Sequence, residues 1–184
     1  MFDAIRRLLS RERRVPELPE IVLRPVGVVR NGVRDTGSGA WEDVVSEIVV
    51  RPEVEDALLG LDTYSHVLVL FWPHRVPEEV RGSKHRLHPR DDPANPLQGV
   101  LATRSQIRFN PVLVTPVRLL GVKGNVLRVR GLDAIDGTPV LDVKPYIPQI
   151  DCVPEATVPE WVCERAEHQG AETSPERGGG ASEL

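Results

Sequence analysis

Between Ile21 and Val143 the chain is a succession of short runs rich in β-branched residues, each ended by glycine, proline, asparagine or aspartate. Runs of this kind suit the strands of a small sheet, and without helical segments alternating between them they do not build a parallel α/β sheet. The runs are Ile21 to Arg30, Val44 to Val50, Ser65 to Trp72, Gly99 to Thr103, Val112 to Val122, Val126 to Leu132 and Thr138 to Val143. Ser65 to Trp72 is almost continuously apolar, as expected of a strand buried on both sides or closed into a barrel. Lys123-Gly124-Asn125 is placed to turn a hairpin. The pattern predicts a mainly β fold, a small closed antiparallel β-barrel with one or two short helices.

Two segments have helical character. Pro52 suits the first turn of a helix over Pro52 to Leu59, the acidic residues after it suit the positive end of the helix dipole, and Gly60 ends it. Phe2 to Arg14 places Phe2, Ile5, Leu8 and Leu9 near one face, before Pro16 and Pro19 break the helix. The organisation read from this is an amphipathic helix and linker over 1–19, a barrel domain over 20–153, and an acidic, disordered tail over 154–184.

Charge is uneven along the 184 residues. Of a net charge of −4, the segment from Glu155 onward carries seven acidic and two basic residues, so the rest is near neutral. Arg75 to Arg108 holds seven Arg and Lys against four Asp and Glu, with His85 and His88 in addition. That segment reads equally as a phosphate-facing surface and as an ordinary solvated loop. No apolar run approaches the ~20 residues that span a bilayer, and no signal-peptide core is present, so the expected location is the cytoplasm. Cys152 and Cys163 are too few for a disulfide framework and, like the five histidines, lack zinc-ligand spacing, so no metal is expected.

Candidate chemistry lies at strand ends. Arg104 follows an apolar run and could hold a carboxylate or phosphate, or form only a surface ion pair. Asn110-Pro111 offers an amide and a rigid turn. Asp133 and Asp136 could accept hydrogen bonds from hydroxyls or an amine, although Asp136-Gly137 is also a common turn pair. His74 follows Phe71-Trp72-Pro73, and Lys144 and Tyr146 bracket Pro145. The glycines of Asn31 to Glu42 lack the spacing of a dinucleotide or phosphate loop, and no hydrolase triad or elbow occurs.

Taken in order, Pro25 to Arg30, Tyr64 to His74, Ala102-Thr103-Arg104-Ser105 and Leu132 to Tyr146 resemble the TsaA-like family, β-barrel S-adenosylmethionine-dependent methyltransferases of the TrmO type. The resemblance covers about Ile21 to Asp151, and His88 to Pro93 and Asn95 to Leu97 look most like the compact archaeal-type members. It implies a homodimer that binds S-adenosylmethionine near the subunit interface and methylates N6 of threonylcarbamoyl-adenosine beside the anticodon of tRNA. Carried over residue by residue, Pro73, His74, Arg104, Val114 and Asp133-Ala134-Ile135-Asp136 would line the cofactor site, and Asn110 matches the family's Asn-Pro loop. Assistance in deprotonating the acceptor would fall to Asp136 or Tyr146, and orientation of a substrate carboxylate to Lys144. Two positions depart from the family loop: Phe109 stands for proline and Leu113 for glycine, the latter a source of strain if the backbone there has positive φ. A non-catalytic cofactor-binding or scaffold homologue, and a methyltransferase of a small molecule, stay open at this point.

Overall fold

The structure, a computed structural model, describes residues 15–35, 37 and 40–163. The helix expected over Phe2 to Arg14 and most of the acidic tail lie outside them. Six antiparallel strands form a closed barrel: β1 (Gly27–Arg30), β2 (Val45–Val50), β3 (His66–Phe71), β6 (Leu113–Lys123), β7 (Val126–Arg130) and β8 (Pro139–Pro145). Their order around the barrel is β1-β2-β7-β6-β3-β8, and β8 returns to pair with β1 through Gly27 opposite Val140. A two-stranded ribbon, β4 (Arg86–Leu87) with β5 (Gln98–Gly99), stands beside it. The mainly β barrel expected from the sequence is therefore present.

Alternation along each strand builds the interior, because successive side chains point to opposite faces. Val29, Ile48, Val67, Val69, Leu127, Val129 and Val140 are completely buried and meet at the centre, joined by Leu132 and Ala134 from the segment after β7. The apolar β3 is thus buried on its inner face only; Leu68 and Leu70 are half-buried on the outside. Close approach of β1 to β2 requires glycine at 27, where a Cβ would lie 2.6 Å from the Val49 carbonyl oxygen.

Several boundaries differ from expectation. Residues 21–25 are extended and exposed, so β1 starts only at Gly27. Gly99 to Thr103 is not a strand: the chain leaves β5 at Gly99 and curls into a 3-10 turn over Val100–Ala102, closed by the Thr103 hydroxyl on the Val100 carbonyl. Pro52–Leu58 is a 3-10 helix rather than an α-helix, and Gly60 follows it at φ +81°. The hairpin turn is the pair Gly124-Asn125, since Lys123 already pairs with Val126. A short α-helix, α1 (Pro148–Asp151), follows β8.

Candidate functional site

At the end of the barrel where β1, β3 and β7 finish, three chain segments converge. Asn31 ties them together. Its amide nitrogen donates to the Ser46 hydroxyl at 2.9 Å and to the Ala134 carbonyl at 2.8 Å, while its side-chain oxygen accepts from the Val33 N–H at 3.0 Å. The glycine-containing loop after β1 is thereby bound to the Asp133 to Gly137 turn. Arg75 reaches across from the end of β3 to the Arg34 carbonyl and adds the third segment.

Between these segments lies a cleft of about 310 Å³, lined by Asp35, Pro73, His74, Gln106, Asp133 and Ile135 among others. The structure thus brings together five of the residues carried over by resemblance: Pro73, His74, Asp133, Ala134 and Ile135. Arg104 and Val114 line a second cleft of about 310 Å³, which shares Asp133 with the first. The Arg104 guanidinium donates to the Val114 carbonyl, and the Thr115 hydroxyl donates to the Asp133 carboxylate. A third, larger cleft of about 650 Å³ shares Gln106 and Arg104 with these two and is lined by Lys84, His88 and Arg90. Three of the seven Arg and Lys residues of the cationic segment read in the sequence, Lys84, Arg90 and Arg104, therefore face this concave surface.

Two titratable groups are tuned. His74 lies below the ordinary histidine value, chiefly because partial burial disfavours its charged form and secondarily because Arg75 is near. Both causes favour its neutral form. Asp136 is held below the usual carboxylate range, first by the Asn31 N–H at 3.1 Å and further by the Gly32 N–H and Arg30.

Four expected residues are placed elsewhere. Asp136 does not line the cleft; its carboxylate holds the loop after β1. Lys144 is on the outer face of β8 opposite Leu68, three strand residues or roughly 10 Å short of Phe71 where the cleft begins. It pairs with Asp142 at 2.6 Å, which raises its pKa. Tyr146 is farther still, its N–H on the His66 carbonyl. Asn110 lines a separate apolar groove with Leu18, Ile21 and Trp72.

The two departures from the family loop are accommodated. Leu113 begins β6 opposite Phe71 and is not among the residues with positive φ, so leucine there carries no backbone strain. Phe109 meets the His85 ring edge-on at 5.3 Å and covers Gly82, where the lack of a side chain leaves room for the ring: a Cβ there would lie 2.7 Å from Phe109 Cδ1. Asp35, Gln106, Thr115 and Asn31 were missed in the sequence. Asn31-Gly32 is legible only as a turn, and nothing local marks Gln106.

Residues 34–152 match the model of the tRNA-methyltransferase O N-terminal domain. The chain belongs to the tRNA-methyltransferase O family. All the cleft residues named above fall inside the matched region, whereas β1, which closes the barrel, precedes it. Among relatives of this family is a protein of Methanothermobacter thermautotrophicus named "Probable S-adenosyl-L-methionine-binding protein", 43% identical over 136 residues that cover 72% of this chain and 94% of that one. The tRNA (adenine(37)-N6)-methyltransferase of Escherichia coli is 38% identical over 106 residues, 55% of this chain and 44% of its own. The crystal structure of TrmO from Pseudomonas aeruginosa superposes with a TM-score of 0.62 at 31% identity, over 77% of this chain and 62% of that one. The chain thus spans less than two thirds of the solved tRNA-methyltransferase O chain and most of the archaeal relative.

Proposed function

We propose that the protein is an S-adenosylmethionine-dependent methyltransferase acting on tRNA, with N6 of threonylcarbamoyl-adenosine beside the anticodon as acceptor. The observation that carries this is the pair of clefts joined at Asp133, which sets carboxylates and a guanidinium apart in a way that suits a zwitterionic sulfonium ligand. Asp35 and Asp133 suit ribose hydroxyls or positive charge, Arg104 suits a carboxylate, and Pro73, Phe71 and Ile135 give apolar walls for a base. The cofactor residues proposed are Pro73, His74, Arg104, Val114, Asp133, Ala134 and Ile135. S-adenosylmethionine, when bound, supplies an electrophilic methyl group.

What the chain's own residues contribute is alignment and proton management. Arg104 would hold the ligand's carboxylate, and Asp133, at the junction of the clefts, its hydroxyls or positive charge. His74, whose neutral form the cleft favours, is suited to accept the acceptor's proton, a role for which Asp136 is less suited because the Asn31 and Gly32 N–H groups and Arg30 stabilise its charged form and lower its basicity. Lys84, Arg90 and Arg104 give the adjoining cleft the sign needed for an anionic nucleotide. The working unit proposed is a homodimer, supported by the exposed apolar residues Leu18, Ile21 and Val22 before β1.

Calorimetric titration with S-adenosylmethionine and S-adenosylhomocysteine, followed by methyl transfer to tRNA carrying the threonylcarbamoyl group, tests this reading. Saturable binding with transfer to that tRNA is expected. Binding without transfer to any RNA, or transfer to a small metabolite instead, refutes the acceptor; no binding to folded protein refutes the cofactor.

A further inference from the structure

The outer face of β6 and β7 carries charge that nothing in the described fold uses. Arg118 on β6 lies directly opposite Arg130 on β7. Like charges at directly opposed positions on one face of a sheet are destabilising, so this pair costs the barrel stability. On the far side of Arg118 its neighbour is the exposed His66 of β3, which extends the row. Arg128, two residues before Arg130 on the same face, adds a third guanidinium. Its cross-strand neighbour on β2 is Glu47, which also stands opposite Arg30 on β1 and forms an ion pair with neither. All three arginines are exposed. Among the described residues none of them makes an ion pair or a side-chain hydrogen bond.

Position gives the row a direction. Arg118 is three residues, roughly 10 Å, along β6 from Thr115, which bonds Asp133 at the junction of the two clefts. Arg130 is three residues before Asp133 itself. Between Arg118 and the cleft, Pro116 and Val114 point outward on the same face, and the Val114 carbonyl accepts from Arg104. Arg118 on the barrel wall and Arg104 at the cleft are thus separated on β6 only by the uncharged Pro116 and Val114, with no acidic residue between them.

We propose that the outer face of β6 and β7 is an RNA-backbone surface on which Arg118, Arg128 and Arg130 contact phosphates of the nucleic acid whose base enters the cleft. The occupant is argued from charge: a close-set guanidinium row with no internal partner is complementary to a polyanion with regularly spaced phosphates. Exposed guanidinium groups on a rigid sheet hold the backbone in register and read no sequence. For its substrate the proposal rests on the methyltransferase reading, but the surface is judged separately.

The test is filter binding of a transcribed tRNA across a salt series to three proteins: the unaltered chain, Arg118→Gln/Arg128→Gln/Arg130→Gln, and the charge-matched control Arg24→Gln/Arg51→Gln/Lys144→Gln, whose residues lie off β6 and β7. Losing three phosphate contacts should lower affinity at low salt by on the order of tenfold or more. It should also reduce the slope of log K against log salt by about 2 to 3, at ~0.7 to 0.9 per contact. The control should keep the slope of the unaltered chain. Equal losses in both variants, an unchanged slope in the first, or binding to anionic lipid vesicles in place of tRNA would overturn the proposal. Titration of the first variant with S-adenosylmethionine should match the unaltered chain. If neither protein binds that ligand the methyltransferase reading fails, while the two slopes still decide the surface.

Discussion

Asp136 shows how one carboxylate can be mistaken for chemistry when its work is architectural. Two backbone N–H groups and Arg30 stabilise its charged form, and its native pKa is below the unfolded one. Its contribution to stability is present above the unfolded value near 3.8 and is lost as pH falls through the native pKa. Asp136→Asn should therefore lower Tm at pH 7, and the difference should vanish toward pH 2; thermal melts at the two pH values check this. His74 has the opposite bearing. Because its pKa is depressed, S-adenosylmethionine affinity should stay flat from pH 8 to about 6.5 and fall only below that, as an imidazolium develops beside a cationic ligand. His74→Gln should abolish the fall in a titration series. Arg104→Ala should weaken the same ligand about tenfold or more, the worth of one charge-assisted hydrogen bond. Unchanged affinity would remove Arg104 from the site.

Among elements, the strands were legible where composition and face agree. β2, β3 and β7 alternate cleanly, and their buried residues are those an inward face requires. Gly99 to Thr103 was misread because a short apolar run has no period of its own; with only β4 beside it, the chain satisfies its backbone locally as a 3-10 turn. The cleft was half legible. Residues adjacent in sequence, such as Asp133-Ala134-Ile135, announced themselves together, whereas Lys144 and Tyr146 looked equivalent to them until the register of β8 placed them along the wall. Asn31 could not be found, because its importance comes from Ser46 and Ala134, the latter more than a hundred residues away. Two substitutions test the element scale. Leu127→Ala should cost about 2–5 kcal/mol by opening a cavity at the barrel centre. Gly27→Ala should cost about 1–3 kcal/mol by forcing β1 off the Val49 carbonyl. Denaturant melts measure both.

For the whole molecule, closure matters more than any one contact. The barrel has no free edge among its six strands, because β1 and β8 pair although the residues they join, such as Gly27 and Val140, stand near opposite ends of the domain. A site built on such a closed wall is held by elements rather than by loops alone, and its clefts open where the strands stop. The exposed apolar residues before β1 then belong to whatever the barrel meets. Replacing Ile21 and Val22 with Asp should leave Tm within a degree or two and shift sedimentation toward a monomer, if these residues form the contact between copies.

The pairing of β1 with β8 also sets a clock. Bringing together segments so distant along the chain is the slowest kind of contact to form, since its loop entropy is lost before anything is gained. Asn31 follows β1 directly and bonds the Ala134 carbonyl 103 residues away, so the cleft is completed only with that long-range closure. In refolding experiments the ability to bind S-adenosylmethionine should therefore return with the slowest phase, after most of the sheet signal has been regained, and the newly made protein would stay silent towards its ligand until β1 had met β8.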